Sequence, residues 1–334
     1  MADTVALPSF AGRPVLVTGA AGLVGGNLVG RLVDAGAEVT VLLRDLDGSS
    51  LLAPLVAAGR VRTVRGTLVE YGDVERAVVE AEAEFCFHLG AQTLVPVASK
   101  MPLATFQANV MGTAHVLEAV RRHASLGTRV IVASSDKAYG SAGERAYVED
   151  LPLLGTQPYD ASKSAAEMVV RSYSLVYGVP VATLRCANTY GPGDLNWSRL
   201  IPGALRAAIR GETLDIRSDG TPKRDYIHVD DVVTAYLLAA ARFDELGLAG
   251  EAFNAGTGIA TSVHDLVAAI NGACRAEGLG ALRTRVLGTA RHEIAFQVLD
   301  ASKMRARLGW APSVTLADGL RRTIPWYREA VGRG

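Results

Sequence analysis

Tyr159 and Lys163 stand four residues apart in Tyr159-Asp160-Ala161-Ser162-Lys163, a spacing that puts both side chains on one face of a helix. A phenol titrates ordinarily near ~10 and is a poor base at neutral pH, but an adjacent ammonium favours the phenolate. Such a pair can take the proton of a hydroxyl whose carbon is being oxidised. A serine hydroxyl can share that proton. Ser135 is the candidate, in Ala133-Ser134-Ser135-Asp136-Lys137, where a strand should end. Ser134 is the competing position, and strand alternation does not decide between them.

Far upstream, Gly19, Gly22 and Gly25 recur three apart in Thr18-Gly19-Ala20-Ala21-Gly22-Leu23-Val24-Gly25. The apolar run Pro14–Thr18 precedes them and a helically spaced segment from Leu23 follows. A strand–turn–helix with these glycines lets the backbone approach a pyrophosphate and presents a helix N-terminus to it, as dinucleotide binding requires. An acid about 20 residues on would bond a ribose hydroxyl. The second strand ends Leu42-Leu43-Arg44-Asp45. Asp45 suits the hydroxyls of NAD and Arg44 the phosphate of NADP; NAD is the expected cofactor, with NADP kept open.

The elements that must position these groups alternate. Strands are expected at Pro14–Thr18, Glu38–Leu43, Val61–Arg65, Glu84–Leu89, Arg129–Ala133 and Val181–Arg185. Helices are expected between them at Leu23–Ala35, Leu51–Ala58, Asp73–Glu80, Thr105–His123 and Tyr159–Tyr177. That order predicts an α/β fold, a doubly wound parallel sheet of Rossmann type, with ligands at the carboxyl ends of the strands. After Ala187 the rhythm breaks at Gly191-Pro192-Gly193-Asp194; helices follow at Leu200–Arg210 and Asp230–Ala241, and short helices and loops from Gly256 on. Residues 1–187 are therefore read as a dinucleotide-binding domain, with later segments near 225–255 returning to it. Residues 188–334 are read mainly as a smaller substrate lobe.

Taken in order, Gly19/Gly22/Gly25, Ser135 and Tyr159/Lys163 resemble the extended short-chain dehydrogenase/reductase family. Phe87-His88-Leu89-Gly90-Ala91-Gln92, Asn109-Val110-Met111-Gly112-Thr113, Arg224-Asp225-Tyr226-Ile227-His228-Val229-Asp230-Asp231 and Leu308-Gly309-Trp310 carry the resemblance from Pro14 to Tyr327. It implies an enzyme acting on a nucleotide-diphosphate sugar with a retained nicotinamide dinucleotide. Cofactor contacts are implied at the glycine loop with Leu23 and Val24, at Arg44 and Asp45, at Leu68 and Leu89, and at Tyr159 and Lys163. Substrate contacts are implied at Gln92, Asn188, Arg199, Arg224 and Arg291; arginine suits a diphosphate because its planar fork binds two oxygens at once. Two positions depart from the family pattern. Gly66-Thr67-Leu68 stands where an acid often follows the third strand, and the ribose-binding acid would fall on Leu43.

The residues after Ser135 separate the family's activities. Sugar 4,6-dehydratases carry an acid first, whereas 4-epimerases usually carry small or hydroxylic residues. Ser135-Asp136-Lys137 resembles the CDP-glucose 4,6-dehydratases, so Asp136 is expected to protonate a departing C6 hydroxyl and Lys137 to take the C5 proton. Lys137 would then have to be neutral, a state that burial or the nearby Lys163 favours. The alternatives are a nucleotide-sugar epimerase, in which Asp136 has no proton to give, and an inactive regulatory relative, against which the intact Ser135, Tyr159 and Lys163 argue.

Composition agrees. The 334 residues are 49% hydrophobic, and 34 basic residues balance 34 acidic ones, which points to neither nucleic acid nor a membrane surface as main partner. Cys86, Cys186 and Cys274 form no CxxC pair and read as core hydrophobes; His228 and His292 lack metal-ligand spacing, so no metal is expected. The start lacks a signal-peptide pattern, and a cytoplasmic location is expected. Apolar stripes on Thr105–His123 and Tyr159–Tyr177 suggest a homodimer through a four-helix bundle, the family's habit.

Overall fold

The computed structural model describes residues 9–289 and 294–332. Its centre is a seven-stranded parallel sheet. Six strands fall where the apolar runs predict them: β1 Pro14–Thr18, β2 Glu38–Leu43, β3 Arg62–Arg65, β4 Phe85–His88, β5 Arg129–Ser135 and β6 Val181–Cys186. Val, Ile, Leu and Phe dominate the central strands because both faces are covered, whereas the edge strand β3 exposes Arg62, Thr63 and Arg65. The seventh strand, Ala252–Ala255, pairs with β6 at one edge and is not among the predicted strands. The order across the sheet is Ala252–Ala255, β6, β5, β4, β1, β2, β3. It reverses between β1 and β4, which opens a crevice above that point.

One face is covered by Leu23–Asp34 and Val229–Ala241, which bury Leu28, Val29 and Leu32 against Val232, Val233 and Tyr236. The other carries Tyr71–Ala81, Gly112–Arg122 and Pro158–Tyr177, which bury Val74, Ala77, Val116, Leu117, Val120 and Val170. The expected single helix Thr105–His123 is built differently. It begins as Pro102–Phe106, passes through a wider π-type turn at Gln107–Met111 where the Gly112 amide bonds the Gln107 carbonyl five residues back, and resumes as Gly112–Arg122.

The remaining chain forms a lobe above the carboxyl edge. Its core packs Leu200–Arg210, Val263–Ala276 and Leu316–Gly332 through Ile201, Leu205, Leu266, Ile270, Leu320 and Ile324. Of the short helices expected after Gly256, Ser302–Leu308 is one, while Val263–Ala276 and Leu316–Gly332 are long, since apolar residues recur at helical spacing along each. Small sheets complete the lobe: Asn188–Tyr190 beside Tyr226–His228, Thr213–Ile216 beside Arg283–Val286, and Lys223–Arg224 between Thr261–Ser262 and Phe296–Gln297. The three cysteines are free and buried. No described helix is long and apolar enough to cross a membrane.

Candidate active site

A cleft of about 2240 Å³ lies between sheet and lobe. Its sheet side gathers the glycine loop with Leu23 and Val24, Arg44 and Asp45 after β2, Leu68, Leu89, and the groups from Ser135 to Lys163. The glycines are there for physical reasons. Gly19 has φ +73°, and a Cβ on it would lie 2.6 Å from the Gly90 amide nitrogen; a Cβ on Gly25 would collide with the Gly19 carbonyl. The helix that follows starts at Gly22 with no side-chain cap and no acid in its first turn, so its amides and partial positive charge face the cleft unneutralised. This cradle fits a dinucleotide pyrophosphate, and Lys163 and Tyr159 lie further along the same cleft, where the nicotinamide end would reach.

The two departures have plain structural counterparts. Leu43 is buried in the sheet, while Arg44 and Asp45 are largely exposed and paired to each other at 2.6 Å. Thr67 receives its anchor from helix Tyr71–Ala81: its amide donates to Asp73 at 3.0 Å, and Asp73 packs so closely that a Cβ on Gly66 would strike it at 2.6 Å.

At the end of β5 the two serines point differently. Ser134 is buried and its hydroxyl donates to Glu167 beneath the cleft. Ser135 donates to Asp136 Oδ1 at 2.8 Å and receives the Lys137 amide at 3.3 Å, and its hydroxyl lies close enough to the Tyr159 phenol to act on its titration. Ser135 therefore sits with the tyrosine and Ser134 does not. Lys163 reaches back across the helix to donate to the Ala133 carbonyl at 2.8 Å.

The dominant influence on the Tyr159 phenol is burial rather than Lys163. Burial pushes that phenol well above its ordinary range; the Asp136 carboxylate adds to the rise, while the nearby Ser135 hydroxyl and the charge of Arg199 oppose it. Burial likewise brings Lys163 down to about 8, with Glu167 opposing. Both side chains are desolvated, so the pocket disfavours either charge.

Asp136 is almost wholly buried. Its Oδ1 lies 3.7 Å from Lys137 Nζ and its Oδ2 receives Asn188 Nδ2 at 3.3 Å. Asn188, expected on the diphosphate, is thus also a brace for the acid, and its Nδ2 further donates to the Asp225 carbonyl at 3.2 Å. Lys137 Nζ donates to Gln297 Oε1 at 2.6 Å. Gln92 lines the cleft, with its own Oε1 occupied by the Leu94 amide at 2.9 Å. Arg199 is held at 2.8 Å by both Asp194 and the Thr189 carbonyl, and Arg224 lines the cleft from the lobe. Arg291 and His292 lie outside the described residues. His228 is buried edge-on to Tyr190, and no group of three or more potential metal ligands occurs among the described residues.

Several groups escaped the sequence reading. Glu167 grips Arg185 at 2.8–3.0 Å; Arg185 donates to Tyr139 at 2.7 Å, and Tyr139 donates to Asn254 at 2.7 Å, forming a buried polar layer under Ser134. Asn109, in the π-type turn, clamps the backbone of Gln92 at 2.7 and 3.0 Å and donates to Ser162 at 2.8 Å. Asp160 lines the cleft beside Tyr159 and is raised to about 6, mainly by burial. A lone polar residue inside an apolar run, as in Ile294-Ala295-Phe296-Gln297-Val298-Leu299, was the available signal for Gln297: buried, it must have partners.

A glycine-loop sheet with serine, tyrosine and lysine converging at the carboxyl edge defines an extended short-chain dehydrogenase/reductase. Residues 16–323 match the model of the GDP-mannose 4,6 dehydratase family, and the chain belongs to it. It is 32% identical over 333 residues to a dTDP-glucose 4,6-dehydratase of Xanthomonas campestris pv. campestris, covering 93% of this chain and 92% of that protein. It is 34% identical over 323 residues to a UDP-glucose 4-epimerase of Mycolicibacterium smegmatis, covering 94% and 98%. The crystal structure of DesIV, a dTDP-glucose 4,6-dehydratase from Streptomyces venezuelae with NAD and TYD bound, matches with TM-score 0.84 at 31% identity over 96% of this chain and 98% of that one. The chain is thus an enzyme of the NAD-dependent nucleotide-sugar 4,6-dehydratase and epimerase group.

Proposed function

We propose that this enzyme is a nucleotide-sugar 4,6-dehydratase acting on CDP-glucose or a close analogue, with NAD retained through the cycle. The observation that carries the reading is the buried Asp136 carboxyl between Ser135 and Lys137, 2.8 and 3.7 Å away. An epimerase needs no acid there. The choice of CDP rests on the Ser-Asp-Lys resemblance alone, since the relatives above are named for dTDP- and UDP-glucose. In this reading residues 1–187 hold the cofactor, joined by segments near 225–255, and residues 188–334 mainly hold the nucleotide sugar.

When bound, NAD supplies a reversible hydride acceptor and a positive ring that favours the Tyr159 phenolate. Tyr159, with Ser135 near it, takes the C4 hydroxyl proton, and Lys163 holds the ribose beside it. With C4 a ketone, the C5–H is acidic, and Lys137 removes it. Asp136 gives its proton to the departing C6 hydroxyl, which leaves as water, and Lys137 returns its proton to C5 as the hydride taken from C4 is delivered to C6. One base and one acid must therefore act in turn; Gln297 is the partner of Lys137, and Ser135 and Asn188 are the partners of Asp136. Arg224, Arg199 and Asn188 meet the diphosphate. The exposed Met168 and Leu175, two turns apart on one side of helix Pro158–Tyr177, mark the face through which a homodimer would form.

The test is proton NMR of the enzyme with CDP-glucose, dTDP-glucose, UDP-glucose and GDP-mannose, no cofactor added. A new C6 methyl doublet with one of them establishes 4,6-dehydration and names the base. A changed C4 or C2 coupling with C6 intact makes the enzyme an epimerase, the reading favoured by the M. smegmatis relative.

A further inference from the structure

Gln297 belongs to the lobe, yet its side chain ends in the chemistry of the sheet. It is completely buried on strand Phe296–Gln297, in register with Arg224 of the neighbouring strand. Its carbonyl receives the Asp225 amide at 3.1 Å, so its backbone cannot move without the strand that carries Arg224. Its side-chain amide is fixed at both ends: Nε2 donates to the Asp136 carbonyl at 3.2 Å, and Oε1 accepts from Lys137 Nζ at 2.6 Å. A flipped amide would set donor against donor and acceptor against acceptor, so only the oxygen can face the lysine.

A neutral amine has two N–H donors and one lone pair. With one donor committed to Gln297 Oε1, the lone pair is confined to the remaining tetrahedral directions. The acceptor is uncharged, so it orients the nitrogen without the attraction to the ammonium form that a carboxylate would exert. The charged groups facing Lys137 are Asp136 on its own turn and Asp160 from helix Pro158–Tyr177.

We propose that Gln297 is a positioning residue that aims the Lys137 nitrogen at the substrate and links that aim to the strand carrying Arg224. The inference rests on the reading of Lys137 as the C5 base. A nucleotide seated against Arg224 then also seats the base.

The experiment compares wild type, Gln297→Glu and Gln297→Met. Each is checked for NAD content and melting temperature, then assayed by NMR for the 6-deoxy-4-keto product across pH. Gln297→Glu keeps an oxygen acceptor but adds a charge beside the lysine. The acidic limb of its kcat profile should move up by ~1–3 pH units, with rate recovered at alkaline pH. Gln297→Met removes the acceptor, so kcat should fall roughly 10–100-fold at every pH while KM changes little. Parallel losses in both variants at all pH, or profiles matching wild type, overturn the proposal. If wild type forms no 6-deoxy-4-keto product from any nucleotide sugar, it is the dehydratase reading that fails, before Gln297 is judged.

Discussion

The floor and the roof of the cleft are built on different terms. The floor is the polar layer Glu167–Arg185–Tyr139–Asn254 beneath β5 and β6, sealed from water, with each member holding at least two partners. The roof is made of two-residue strands, Lys223–Arg224 and Phe296–Gln297, whose arginine lies at the cleft surface. A satisfied buried network has one arrangement and holds the strand ends where Ser135 and Asp136 begin. One roof residue, Gln297, is buried and tied to Lys137 and the Asp136 carbonyl, whereas its strand partner Arg224 faces the cleft. The chemistry is thus mounted mainly on the sheet side, with Gln297 reaching it from the lobe, while Arg224 faces the cleft from above.

Asp136, at the junction, tests this division most severely. Asp136→Asn should keep the fold and NAD content but lower 6-deoxy product formation by ~10²–10⁴-fold, read from the C6 methyl signal. Unchanged dehydration would remove the acid from the mechanism. In the floor, Glu167→Gln leaves the Arg185 guanidinium buried without its counter-charge, and urea unfolding should show ~3–5 kcal/mol of lost stability. The double variant Glu167→Met/Arg185→Met should recover much of it. In the roof, Arg224→Met should do the reverse: KM for the nucleotide sugar should rise by the equivalent of ~1.5–3 kcal/mol, with the melting temperature nearly unchanged. A large stability loss there would erase the contrast.

The smallest effect concerns His88, which lies buried between Thr18 at 2.8 Å and Thr113 at 3.0 Å. Burial, with Lys163 adding to it, holds its imidazole down at about 3 against an ordinary 6.5. Between those values the unfolded chain binds the proton and the folded one does not, so stability is full above about 6.5 and declines as pH falls toward 3. Melting temperatures of wild type and His88→Asn, followed from pH 7 to 4, should converge as the pH falls.

The sheet side was the more legible half for the same reason that it is rigid. Strands buried on both faces read as continuous apolar runs, and the glycine loop and the Tyr159–Lys163 spacing are local patterns. The strand Ala252–Ala255 escaped because it is short and holds Asn254, a polar residue that is fully buried only because Tyr139, Tyr147 and Asp300 come to it from distant parts of the chain. Ser135 could not be told from Ser134, since which one meets Tyr159 depends on where Glu167 stands in the folded protein. Gln297 reaches Lys137 across 160 residues. No local pattern encodes such a contact.

The turn at Gln107–Met111 carries a consequence of another kind. A π-type turn is a helix with one residue too many, an insertion recorded in the backbone. The surplus residue is what lets Asn109 clamp Gln92 on one side and Ser162 on the other. Shortening the chain by one residue there would leave a more regular helix, but would turn Asn109 by about a hundred degrees relative to the segment beyond it. The loop of Gln92 and the helix of Tyr159 would lose their common tie. Regularity of the helix and the placement of Asn109 are set against each other at this one residue.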